Sequence, residues 1–189
     1  ADPTGEPGLE LLVGAADTRR LAEALLAAAH EHGPDPARPN PRPPLRPGGW
    51  LAFNMARIEA GTPIYNIDYG PDSLPAETGV LNDRVSFTKG CYLGQEVVAR
   101  MHALGHPKQV LVGFEVADAP SSDSGDLREP PQPGAAVFPA DAAGKPAGDA
   151  VGAVTSATIS PMKSLAIVGF AMMKWAHATP GAAVCIATE

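Results

Sequence analysis

The second half of the chain is a series of short apolar runs, each cut off by Gly, Pro, Asp or Ser. The runs cover residues 110–116, 135–138, 150–158, 165–172 and 183–187. Each falls short of an ordinary helix of about ten residues or more, so they read as strands. Several short strands at this spacing predict a small antiparallel β-barrel or sandwich.

The first half carries a different period. Leu21, Leu25 and Ala28 recur at helical spacing after the capping oxygens of Asp17 and Thr18, and Gly33-Pro34 ends the pattern. Leu51, Met55 and Ile58, with Ala52 and Ala56, predict a second helix over 50–60, closed by Gly61 with Pro63 beyond. A third helix is expected after Gly94, with Val97, Val98 and Met101 on one side. Leu9-Glu10-Leu11-Leu12-Val13 reads as a strand with no preceding partner. Together with an opening Ala1 rather than Met, this leads to the expectation that upstream sequence is missing. The expected class is α+β, with a boundary near Gln109 separating residues 1–109 from a small β-barrel over 110–189.

Much of the 20 Gly and 21 Pro lies in two stretches and says little about the core. Residues 34–49 form a Pro-rich surface loop, and residues 118–133 a linker-like insertion. The formal net charge of −7 argues against a protein built to hold DNA, since that relies on excess Lys and Arg. No apolar run approaches the roughly 20 residues needed to span a bilayer, and no basic-then-apolar leader opens the chain, so no membrane partner is expected. Two cysteines, Cys91 and Cys185, cannot build a disulfide framework or a Cys-only zinc site, which fits a reducing, cytoplasmic compartment.

Cys91 is the sharpest chemical feature. Gly90 and Gly94 permit an exposed turn, Lys89 adds positive charge, and the following helix N-terminus adds more, all favouring the thiolate. The alternative reading is an ordinary half-buried cysteine. Cys185, within Ala-Ala-Val-Cys-Ile-Ala, reads as a small hydrophobe on a strand. His102 and His106 lie beyond two helical turns from Cys91 and read as surface histidines; with Cys91 they lack a fourth ligand and a metal-site spacing. Among the carboxylates, Glu10 and Glu59 sit in apolar contexts where a charge needs a partner. That partner is either a paired donor such as the amino-pyrimidine edge of a pterin, or a salt bridge to Arg57 or Arg100.

Arg57-Ile-Glu-Ala-Gly61, Pro75-Ala-Glu77 and Val85-Ser-Phe87 lead into Lys89-Gly-Cys-Tyr-Leu-Gly-Gln-Glu96 and Val98-Ala-Arg100. This succession resembles the YgfZ group of folate-binding proteins, which includes mitochondrial iron–sulfur cluster assembly factors and is related to the glycine-cleavage T-protein, an aminomethyltransferase. Gly5-Glu-Pro-Gly-Leu-Glu10 resembles the Gly-Glu-x-Gly-x-Glu segment of the T-protein fold, and Val151-Gly-Ala-Val-Thr-Ser156 a strand of its C-terminal barrel.

The resemblance implies the C-terminal part of a T-protein-like folate-binding domain followed by the barrel. It implies tetrahydrofolate as the cofactor, iron–sulfur proteins as clients, and a mitochondrial matrix location in a eukaryote. Glu10 would anchor the pterin, Arg57, Glu59 and Arg100 would line or brace the pocket, and Cys91 would be the working thiol with Lys89 in support. Phe53 stands where T-proteins carry an arginine of the folate site, which points away from aminomethyl transfer; the transferase remains the alternative, and a non-catalytic interaction module a second one.

Overall fold

The computed structural model describes residues 4, 5, 8–32, 45–116 and 129–187. Most of the Pro-rich 34–49 loop and of the 118–133 insertion therefore lies outside the described residues. Helix α1 spans Thr18–His32 and helix α2 Trp50–Glu59; α3, Leu81–Arg84, is a single turn, and α4 spans Gln95–Leu104. Strands β1 (Gln109–Glu115), β2 (Ala136–Pro139), β3 (Gly152–Ser160), β4 (Ala166–Lys174) and β5 (Val184–Ile186) follow. Residues 9–13 form no strand; Leu9 and Leu12 stand out in solvent, so the strand read there is absent from the fold. A strand needs a neighbour to take its backbone hydrogen bonds, and residues 9–13 have none among the described residues.

All strand pairs are antiparallel, in the order β1-β4-β3-β2-β5. The expected barrel is instead an open sheet. Its two edges, β1 and β5, do not pair; β5 has only three residues and follows a turn at Pro180-Gly181, too short an edge to close the ring. Both edges line a cavity of about 1240 Å³ on the concave side of the sheet, with Val112, Phe114, Val184 and Ile186 in its wall.

The sheet has a core on each face. Val137, Val151, Val154, Ala171 and Met173 pack on the concave side, while Val168, Phe170 and Leu111 pack against Ile58 of α2 on the other. Strand β4 is therefore buried on both faces, which explains its uninterrupted apolar sequence. Helix α2 ends where the glycine rule places it. Gly61 adopts φ +73°, its N–H bonds the Ile58 carbonyl at 3.0 Å, and the Thr62 N–H bonds the Arg57 carbonyl at 2.8 Å, a Schellman closure that requires a left-handed residue.

Strand β3 carries a β-bulge between Val154 and Ser156. Residues two apart on a regular strand share a face, yet Val154 belongs to the concave core and Ser156 faces the α2 side. The extra residue, Thr155, absorbs the change of parity. From there Ser156, Thr158 and Ser160 turn buried hydroxyls toward the α2 side, and hydroxyls so placed need acceptors.

Candidate functional site

For Ser156 and Ser160 those acceptors are carboxylates from the helical half of the chain, whereas Thr158 Oγ1 donates to the Ile159 carbonyl at 3.4 Å. Asp68, buried in the loop after α2, accepts from Thr155 Oγ1 at 3.0 Å, from Ser156 Oγ at 2.5 Å and from the Ile64 backbone N–H at 2.8 Å. Its other partner is Arg57, whose Nη1 donates to Asp68 with both side chains wholly buried. Arg57 Nε donates to Asn54 Oδ1 at 2.8 Å, and the guanidinium lies 5.6 Å from the centroid of the Phe170 ring. Near the far end of β3, Glu59 accepts from Ser160 Oγ at 2.5 Å and from the Met162 backbone N–H at 3.1 Å. Two carboxylates thus fix β3 to α2 and its following loop.

This geometry answers the question left open for Glu59. Neither Arg57 nor Arg100 pairs with it; Ser160 and the Met162 N–H do, while Arg57 pairs with Asp68. The sequence reading missed Asp68 as that partner. The signal was the Thr155-Ser156-Ala157-Thr158-Ile159-Ser160 pattern, in which a buried strand carries hydroxyls that demand an acceptor from elsewhere.

Cys91 lies on the exposed turn that leads into α4. The turn is held locally: Ser86 Oγ accepts from the Lys89 N–H at 3.2 Å, and Gln95 Oε1 accepts from the Tyr92 N–H at 3.1 Å. Gly94, at φ +84°, turns the chain into the helix. The Lys89 ammonium rests over the Tyr92 ring, 5.2 Å from its centroid. His102 stacks on Phe87 at 4.2 Å and His106 on Trp175 at 5.3 Å, so each imidazole has an aromatic neighbour of its own. No group of three or more His, Cys, Asp or Glu side chains fit to hold a metal occurs among the described residues. Cys185 lies half-buried on β5 and its thiol donates to the Gly144 carbonyl at 3.3 Å.

Glu10 is exposed, and Arg100 pairs with Glu96 at 2.7 Å on the exposed face of α4. The residues named from the resemblance therefore occupy three places: an open carboxylate at Glu10, a buried brace at Arg57 and Glu59, and an exposed thiol turn with α4. The apolar context expected for Glu10 is not found, since its carboxylate stands in solvent and needs no protein partner, whereas Arg57 Nη1 and Glu59 Oε1 are committed inside the fold. No helix among the described residues is long and apolar enough to cross a membrane.

No protein-family model matches the chain. Curated relatives do. The aminomethyltransferase of Moorella thermoacetica is 34% identical over 158 residues, which cover 84% of this chain and 35% of the relative. That of Streptomyces avermitilis is 32% identical over 183 residues, 95% of this chain and 41% of the relative. This chain thus spans well under half the length of either. Among solved structures, the glycine cleavage system aminomethyltransferase T of Bartonella henselae shares the fold, with a TM-score of 0.64 and 21% identity over 92% of this chain and 40% of that one. Sequence likeness to the first two and the shared fold of the third support a T-protein-like relation for this chain.

Proposed function

We propose that this chain is part of a tetrahydrofolate-binding protein of T-protein-like type, with Glu10 accepting from the pterin. The reading rests on the 34% identity to an aminomethyltransferase across 84% of the chain. By that comparison the nearer activity is folate-dependent aminomethyl transfer. Tetrahydrofolate, when bound, supplies the amines that take up the one-carbon unit; the chain's own contribution is to bind and orient it. An unpaired, exposed carboxylate at Glu10 is suited to two parallel charge-assisted hydrogen bonds. Arg57 and Glu59 act on this reading as braces that fix the α2 helix on the sheet, and Arg100 as a charge on α4.

A second reading is favoured by a specific observation, the exposed Cys91 within Lys89-Gly-Cys-Tyr-Leu-Gly-Gln-Glu96. On that reading the folate protein supports the assembly or repair of iron–sulfur clusters in client proteins, and the accessible thiol meets cluster, client or oxidant. Phe53, standing in place of a folate-site arginine, favours it too. One assay separates the two. Release of ammonia as tetrahydrofolate takes up carbon from an aminomethylated carrier, unaffected by Cys91→Ser, supports the transferase. Tetrahydrofolate binding without that reaction, combined with loss of client iron–sulfur activity in cells carrying Cys91→Ser, supports the second reading.

A further inference from the structure

Both edges of the open sheet carry backbone groups that no neighbouring strand takes up. The Val116 N–H bonds the Ile167 carbonyl and the Trp175 N–H bonds the Lys108 carbonyl, so the even-numbered residues of β1 make its hydrogen bonds to β4. The N–H and C=O groups of the odd-numbered residues therefore point away from the sheet. At Leu111 the carbonyl is met by Gly79, where a Cβ would lie 2.6 Å away. Beyond it Gly113 and Glu115 are exposed, with no backbone partner among the described residues. On the other edge the Ala187 N–H and the Ala183 carbonyl bond to the strand beside them, so Val184 and Ile186 turn their backbone groups outward in the same way.

The cavity between these edges is apolar with an acidic contribution. Val112, Phe114, Val184 and Ile186 line its volume of about 1240 Å³, and so do Glu115 and Glu129. Lys163 pairs with Glu115, whereas Glu129 has no ion pair among the described residues, so one negative charge is left over. A small apolar ligand fits the hydrocarbon but offers nothing to the backbone of Gly113 and Glu115. An extended strand offers both: its backbone pairs with the edge while alternate side chains enter the cavity. Gly113 carries no side chain to hold a second backbone off, a common use of glycine in a strand.

We propose that β1 binds an extended peptide antiparallel to itself, with apolar side chains at alternate positions entering the cavity and a lysine or arginine at its N-terminal end, facing the carboxylates. None of Glu10, Arg57, Glu59, Lys89, Cys91 and Arg100 lines this cavity, so the surface is separate from the folate and thiol assignments.

The test is NMR hydrogen exchange of the protein with the acetylated, amidated peptide Lys-Val-Thr-Val-Thr-Val. The peptide slows exchange at the Gly113 and Glu115 amides and leaves the amide of exposed Glu10 unchanged. N-methylation of the peptide amides that face β1 weakens binding about tenfold, while N-methylation of the intervening amides weakens it less. Glu in place of Lys in the peptide weakens binding severalfold, and Glu129→Gln, at an exposed position, narrows that difference. The proposal is overturned if the peptide leaves both amides unprotected, or if binding ignores the position of N-methylation, which identifies a merely apolar cavity. It is overturned equally if the amides become protected without peptide as protein concentration rises, which identifies a second copy of the chain as the occupant.

Discussion

Replacing Asp68 by alanine removes one acceptor that serves Arg57, the Ile64 N–H, Thr155 and Ser156 at once. The largest part of the cost is the Arg57 guanidinium, which stays wholly buried with no counter-charge; breaking a buried pair from one side costs about 3–5 kcal/mol. Thr155 retains the Phe170 carbonyl at 3.2 Å, so its loss is partial, whereas the Ser156 hydroxyl has no other acceptor. Against a typical total stability of about 5–15 kcal/mol, this is a severe lesion. In urea, with an m-value of about 2 kcal/mol/M, the unfolding midpoint falls by about 2 M.

Asp68→Asn keeps an oxygen for Arg57 and turns its NH₂ to hydroxyls that can accept, so it costs less, about 1–3 kcal/mol. The double variant Arg57→Met/Asp68→Leu removes both charges and lies closer to wild type than Asp68→Ala does, because no charge is then stranded. The measurement is a set of equilibrium urea curves followed by far-UV circular dichroism. An Asp68→Ala midpoint within error of wild type, or a double variant as unstable as the sum of its single variants, would refute the buried brace.

Other consequences are checked as simply. Ser160→Ala leaves Glu59 with the Met162 N–H as partner and lowers stability by about 1 kcal/mol, read from the same urea curves; a neutral result would mean that Glu59 does not hold β3. Gly79→Ala meets two obstacles, a φ of +74° and a Cβ placed 2.6 Å from the Leu111 carbonyl oxygen, and costs about 1–3 kcal/mol in thermal unfolding. Arg100→Ala removes an exposed i,i+4 pair and changes stability by at most ~0.5 kcal/mol, so any larger loss of folate affinity reports a direct role. Maleimide labelling of the folded protein modifies Cys91 well before Cys185, which is half-buried and hydrogen-bonded; equal rates would remove the functional-thiol reading.

The strands and helices were legible because their signals are local. Strand β4 shows this best: its apolar run and flanking breakers mark an element buried on both faces, and the observed Ala166–Lys174 lies within two residues of the run read from sequence. Gly61 marked the end of α2 and Gly94 the start of α4 for the same reason, since few other residues tolerate positive φ. What could not be read is non-local. The pairing of Asp68 with Thr155 and Ser156 joins residues 87 and 88 positions apart, and it depends on a bulge that no residue type announces. The open edge between β1 and β5 is likewise a matter of how far a sheet curls, which strand patterns do not encode. Residues 9–13 show the opposite failure, a largely apolar run that reads as a strand where no neighbour among the described residues takes its hydrogen bonds.

Calorimetric titration of the intact protein with tetrahydrofolate tests the central claim most directly. The account predicts saturable binding at one site, weakened at least severalfold by Glu10→Ala and unaffected by Ser160→Ala beyond its effect on stability. Absence of any binding heat in the folded wild-type protein would contradict the folate assignment, and undiminished affinity in Glu10→Ala would contradict the role given to that carboxylate.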